Sequence, residues 1–325
     1  MSAPTSPTSA PTSNISGWVE AFLYVLCIAL LGIAYAVAAA RGAHTVVFIL
    51  YSLVISGAAL LAVTGPGNNA RAIMLHPASW LVGLSNMVVE GGYALLLGYV
   101  APAPGSLMIR FSIPVTLLIG VIVFGRRPRP LVWLGAGIVS LAVGSLLAHV
   151  DADKLLPVLG CAAACGLAVG VRAFASEFHK WNRAAGTITE KIQVTALVTL
   201  VTAIAGLATV SALMAAVEFG LLPATPLLPT PQALLHLPTI LLALFVGGAL
   251  FTAMTYLSFS SVLKIRSENF IATSAFMPLA TLGVQFPAAA MGLIDLPPFD
   301  WRLLPAMLSA IAGVLLMIWG GRRMQ

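Results

Sequence analysis

CIALLGIAYAV, residues 27–37, returns as CAAACGLAVGV at residues 161–171. Five of the eleven positions agree without a gap: Cys27 with Cys161, Ala29 with Ala163, Gly32 with Gly166, Ala34 with Ala168 and Val37 with Val171. Small residues are abundant throughout the chain, so this echo needs support. It comes from IRFSIPVTLLIGV (109–121) and TSAFMPLATLGVQ (273–285), which correspond around Pro114 and Pro278. A third pair is WLGAGIVSLAVGSLL (133–147) and WRLLPAMLSAIAGVLL (301–316). The chain is therefore expected to consist of two related halves, 18–149 and 152–320.

Composition says where those halves sit. Hydrophobic residues make up 60% of the 325 and charged residues only 8%, and the mean hydropathy is +1.02. Soluble domains carry roughly a quarter charged residues, so this chain cannot cover a water-facing surface and must face hydrocarbon. The net charge of +6 then bears on membrane orientation. No aromatic-and-basic cluster points to nucleic acid. Cys27, Cys161 and Cys165 all lie in apolar runs and are expected to be packing residues, not a disulfide framework. The opening MSAPTSPTSAPTSNIS is too polar and too rich in Pro and Ser to fold, so 1–17 is expected to be a disordered cytoplasmic tail. Its Asn14-Ile15-Ser16 sequon would be idle on that side.

A membrane-spanning helix needs about 20 mostly apolar residues. Ten such segments fall between breaks made by Pro, Gly and charge: 18–40, 44–63, 79–101, 105–125, 131–149, 155–176, 193–216, 239–262, 268–292 and 303–320. With the N-terminus inside, the cytoplasmic loops and tail hold Arg71, Arg126, Arg127, Arg129, Lys180, Arg183, Lys191, Lys264, Arg266, Arg322 and Arg323. The opposite side holds Arg41, Lys154 and Arg302. Positive residues stay inside, so both termini are expected in the cytoplasm of a multi-pass cell-membrane protein. Five spans per half is odd, so the second half enters from the other face. The expected fold is all-α: ten transmembrane helices as two five-helix inverted-topology repeats, a plan that lets one half rock against the other.

These features resemble the drug/metabolite transporter superfamily, and within it the EamA-like branch, over nearly the whole chain after residue 17. The resemblance rests on the doubled five-helix unit, on Pro114 and Pro278 in the fourth helix of each half, and on a fifth helix opening Trp133-x-Gly135-x-x-Ile138. It implies a ten-helix transporter of drugs or metabolites. The fourth helix of that branch usually ends in Gly-Glu. Here Gly125-Arg126 and AAAMG (288–292) stand in those places, and Tyr51 lies near the position where the second helix commonly has an arginine.

Glu90, in SNMVVEGGYALLL (85–97), is the anomaly in the third span. It lies about 15 Å from either end of that span, where an ionised carboxylate must face the interior or a wet cavity. Asn86 and Tyr93 share its face at i−4 and i+3, and Gly91 and Gly92 thin the adjoining surface. Arg110, one turn before Pro114, is expected about 7 Å from Glu90 along the axis, because APAPG (101–105) is a tight connection. Either the two form a permanent ion pair, or the pair opens to take a carboxylate or zwitterion, or Arg110 snorkels outward. Pro114 and Pro278 each free a backbone carbonyl near the midplane and are candidate hinge or cavity-lining residues. Thr252, Tyr256, Ser274 and Gln285 could complete the site from the second half. Arg172 and Glu177 are expected at headgroups, Glu20 at the interface, and Ser267 as the cap of a helix starting at Glu268. The five histidines, His44, His76, His149, His179 and His236, are scattered. No metal cluster, phosphate loop or nucleophile set is visible, and no cofactor is expected. The loop 218–239 is long and apolar with five prolines, either a linker or a partial lid.

The reading that follows is a non-enzymatic secondary active transporter, of exporter type, for a small organic metabolite such as an amino acid or organic acid. Its partners would be that substrate and the lipid bilayer, with protons as a candidate coupling ion, and a monomer would suffice. The alternatives are a proton-coupled antiporter for lipophilic cations, which a free guanidinium at Arg110 disfavours, and a membrane protein that moves nothing.

Overall fold

The computed structural model describes residues 15–223, 225, 228–295, 301 and 303–322, and these contain helices and no strand. In chain order they form α1 (Ile15–Ala40), α2 (Thr45–Thr64), α3 (Ala70–Leu75), α4 (Pro77–Leu96) and α5 (Pro102–Met108). A 3-10 turn at Ile109–Phe111 joins α5 to α6 (Ser112–Ile122). There follow α7 (Pro130–Leu147), α8 (Ala152–Phe178), α9 (Lys180–Ala184), α10 (Ile188–Glu218) and α11 (Pro231–Leu234). The last group is α12 (Leu237–Leu242), a π-helical turn at Ala243–Gly247, α13 (Gly248–Ser274), α14 (Met277–Ala290) and α15 (Leu303–Arg322).

Among the described residues, eight helical segments are long and apolar enough to cross a membrane, one of them joining α5 to α6 and another running from Pro231 to Ser261. Two of the ten expected spans fall outside that set. α4 has the length, but it carries Asn86, Glu90 and Tyr93 among its 20 residues. The segment 268–292 is divided, because the chain leaves the helix at Ala275–Phe276 and α14 keeps only 14 residues. The surface is apolar where lipid would touch it: Leu141, Leu156 and Ile122 are each more than three-quarters exposed.

Local chemistry accounts for most helix ends. Proline opens α4, α5, α7 and α11 at a position whose N–H has no intrahelical acceptor. Thr187 and Glu190 start α10 with a reciprocal capping box. Gly125 and Gly292, at φ 62° and 66°, follow α6 and α14 in the left-handed conformation that only glycine adopts freely. Several boundaries differ from expectation. α1 begins at Ile15, inside the segment expected to be disordered; residues 1–14 lie outside the described residues. α4 stops at Leu96, and Pro102–Gly105 form the first turn of α5 instead of a loop. The helix expected to start after Ser267 has no start there, since α13 is helical through that point; the side chains of Arg266–Asn269 lie outside the described residues.

The principal packing pairs are α7 with α15, α4 with α8, α1 with α13, α2 with α10, α1 with α14, and α6 with α8. Small residues bring backbones together at several of them. A Cβ on Gly313 would lie 2.7 Å from the Gly135 carbonyl oxygen, and one on Gly135 would strike the Gly313 carbonyl. A Cβ on Gly92 would lie 2.6 Å from the Cys165 sulfur, so that glycine admits α8 against α4. The main core gathers Tyr35, Phe48, Tyr93, Leu107, Met277 and Met307 from six elements. Gly313→Leu should therefore destabilise the protein by about 1–3 kcal/mol through overpacking. Gly137→Ala, where a Cβ meets nothing within 4 Å, should not; thermal unfolding in detergent distinguishes the two.

Candidate functional site

Glu90 sits on α4 one turn and a half before the helix ends, nearer one end than expected, and is only 8% exposed. Its partner is Tyr35 on α1, whose hydroxyl donates to Glu90 Oε2 at 2.7 Å. Tyr35 in turn meets the Tyr93 ring edge-on at a centroid distance of 6.1 Å. The Tyr93 hydroxyl is buried and has no hydrogen-bond partner among the described residues. It points at Gly32, where a Cβ would lie 2.7 Å from its oxygen, so the glycine shared by the 27–37 and 161–171 echoes leaves room for this phenol.

Arg110 does not pair with Glu90: no ion pair joins them among the described residues. The guanidinium turns to the other half of the chain, donating to Ser274 Oγ at 3.4 Å and lying against the Met277 sulfur. Its Nε is shielded from solvent and has no partner. A hydroxyl and a thioether, the latter a weak acceptor, are poor company for a cation, and among the described residues no carboxylate forms an ion pair with it. The reason for this geometry is local. Pro114 cannot donate to the Arg110 carbonyl one turn back, and the 3-10 turn Ile109–Phe111 lies at that place. Pro278 opens α14 just after the break at Ala275–Phe276. Both prolines are buried and each follows an interruption, as the sequence leads one to expect.

Asn86, expected on the face of Glu90 and Tyr93, makes its contact with α8. Its Oδ1 accepts from Arg172 on α8, so Arg172 turns inward to a neighbouring helix instead of reaching headgroups. Glu177 pairs with Arg126, and Glu20 accepts from Ser260 at 2.8 Å and forms an ion pair with Lys264. Gln285, almost fully buried, accepts the Ala103 N–H at 3.1 Å and so serves the buried first turn of α5. Thr252 bonds the Gly248 carbonyl at 2.7 Å and Ser56 at 3.3 Å, a helix-packing arrangement with α2. Tyr256 is 48% exposed and stands apart from the others.

The structure thus brings together Tyr35, Glu90 and Tyr93 on one side and Arg110, Ser274 and Met277 on another, with Asn86 and Arg172 forming a third contact. Tyr35 and Met277 escaped the sequence reading, and Arg172 was assigned to the headgroups. Tyr35 left one signal, a hydroxyl-bearing ring in an otherwise aliphatic stretch of α1. Arg172 left another, as an unpaired cation more than a turn inside α8.

No family model matches the sequence, and no curated protein matches it. A solved structure described only as the crystal structure of a protein superposes on 96% of this chain and 100% of its own, with a TM-score of 0.57 and 19% identity. That likeness is one of fold, and it extends over the whole helical body.

Proposed function

We propose that the chain is a secondary active transporter of a small organic metabolite bearing a carboxylate, built as ten spans in two inverted five-helix repeats. The observation that carries the reading is Arg110: a guanidinium held inside an apolar helical body, with no ion pair among the described residues, its Nε and the Tyr93 hydroxyl both buried without a partner among them. Buried polar groups are ordinarily satisfied, and donors left open in such a place suit the acceptor oxygens of a passing substrate. Glu90, held only by a neutral hydroxyl, is available for a proton or for a substrate ammonium.

The packing supports the doubled plan. Exchanging the first half for the second turns the α4–α8 pair into α13–α1, and α6–α8 into α14–α1, while α2–α10 and α7–α15 map onto themselves. All six pairings occur. Arg110 corresponds to Ser274 in the alignment around Pro114 and Pro278, and the two touch. A residue that touches its own counterpart lies beside the axis relating the halves, where an alternating-access carrier places its site. The breaks before Pro114 and Pro278 would be the hinges. The excess of Arg and Lys in one set of loops supports cytoplasmic termini and a cell-membrane location.

A proton-coupled antiporter of lipophilic cations is the second reading, favoured because Glu90 forms no ion pair among the described residues. Proteoliposomes loaded with labelled amino acids, organic acids and quaternary cations separate the two. Arg110→Lys should lower carboxylate flux by about tenfold or more, as loss of a charge-assisted contact of about 1.5–3 kcal/mol would. Cation flux that survives Arg110→Lys while carboxylates are ignored would reverse the assignment. Glu90→Gln should flatten the pH dependence of flux, and transport unchanged at every pH would remove Glu90 from the coupling step.

Tyr35→Phe removes the donor to a buried acid. It should cost about 1–3 kcal/mol of stability, measured as a lower unfolding temperature. The loss should shrink when Glu90→Gln is introduced beside it.

A further inference from the structure

Two histidines that the sequence scatters meet where α3 turns into α4 and α8 turns into α9. The rings of His76 and His179 stand 5.3 Å apart, tilted by 57°. Each uses Nδ1 to cap a helix: Ala78 N–H donates to His76 at 3.2 Å, and Asn182 N–H donates to His179 at 3.3 Å. A ring nitrogen that accepts carries no proton, so the proton of His179 is on Nε2. That nitrogen faces Ser79 Oγ at 2.8 Å, and Ser79 donates to the Ile73 carbonyl at 2.6 Å. The chain from Asn182 through His179 and Ser79 to Ile73 has one direction throughout. Only neutral imidazole fits it. His179 and Ser79 are almost wholly buried.

We propose that His76, Ser79 and His179 form a pH-labile latch, which ties the start of α4 to the end of α8 when neutral and releases it on protonation. A proton on His179 Nδ1 turns an acceptor into a donor aimed at the Asn182 amide, and one on His76 does the same at Ala78. Protonating both places two cations side by side. The surroundings do not neutralise them. Glu177 on α8 is engaged with Arg126, Lys180 lies over the Trp181 ring at 5.0 Å, and Arg183 on α9 and Arg71 on α3 are basic. On α10, Glu190 accepts the amides of Gly186 and Thr187, with Lys191 beside it. α4 has no charged residue before Glu90, and neither histidine forms an ion pair among the described residues.

Burial, and after it the neighbouring His76, push the His179 pKa below the ordinary 6.5. A histidine depressed in the folded state stabilises it above the unfolded value, and that contribution disappears as pH falls through the lower folded one. The latch is therefore whole above pH 6.5 and opens below it. The helices it joins carry Asn86 and Glu90 on one side and Arg172 on the other. As a gate to that site it rests on the transport reading; as a joint between α4 and α8 it does not.

The test is a distance measurement by pulsed electron resonance on the full chain in detergent. Spin labels go on Ala72→Cys and Ala184→Cys, both at exposed positions, with Cys27, Cys161 and Cys165 replaced by alanine. Lowering pH from about 8 to about 5 should move the distribution to longer distances with a midpoint below 6.5, and His76→Gln with His179→Gln should abolish the movement. An unchanged distribution in the protein with both histidines overturns the latch, whether or not the variant folds. So does an equal shift in the variant. A pH-dependent distance in a protein that carries no substrate would keep the latch and discard the transporter.

Discussion

Hydrocarbon offers no partner to a freed peptide group, so a helix inside a bilayer can be interrupted only where other protein covers the gap. Among the described residues, such places lie at Ile109–Phe111, Ala243–Gly247 and Ala275–Phe276. The first and third face each other through Arg110 and Ser274. The π-helical turn is covered by α2, whose Ser52 and Ile55 occupy the space that side chains on Gly247 and Gly248 would need. Neighbouring helices pack against these gaps without burying them fully: α7 and α8 meet the half-buried 3-10 turn, and α2 meets the π-helical turn, from which Phe245 stays exposed.

The same constraint governs the few charges. Glu20 with Lys264, Glu177 with Arg126 in the loop after α6, and Arg172 with Asn86 all join segments far apart in sequence. Arg126 also lies over the Phe174 ring, at the edge of a stack formed by Phe124, Phe174 and Phe178. Each such pair fixes which helices are neighbours, at a modest gain where exposed and a larger one where water is absent. Arg110 is the exception. Its charge lies against Ser274 and Met277, with no ion-pair partner among the described residues.

What could be read from the sequence divides along covalent lines. Pro114 and Pro278 announced their interruptions because a missing N–H is a property of the residue itself, whatever packs around it. Proline and glycine marked most helix ends for the same reason. The interior position of Glu90 was legible, since a carboxylate in an apolar helix has few alternatives. Its partner was not. Spacing along the chain could not say which way the Arg110 side chain turns, and Tyr35 lies 55 positions away on another helix. Arg172 was misread because its distance from the end of α8 allows either an outward or an inward path. Only the approach of α4, admitted by Gly92 against Cys165, selects the inward one. The meeting of His76 and His179 depends on two helix corners converging, which no local pattern encodes.

The segment joining α10 to α12 has a bearing beyond its role as a connector. Tyr51 on α2 donates its hydroxyl to the Leu234 carbonyl at 2.8 Å, so a turn of chain from the later half is tied to a helix of the earlier one. Covalently that turn must follow α12, whose Leu237 is three residues on; through Tyr51 it must follow α2. Any swing of one half past the other has to be absorbed within those few residues or break the bond. The amplitude of such a swing is thus bounded by a short strap at one end of the bundle, and the opposite end is left the freer of the two.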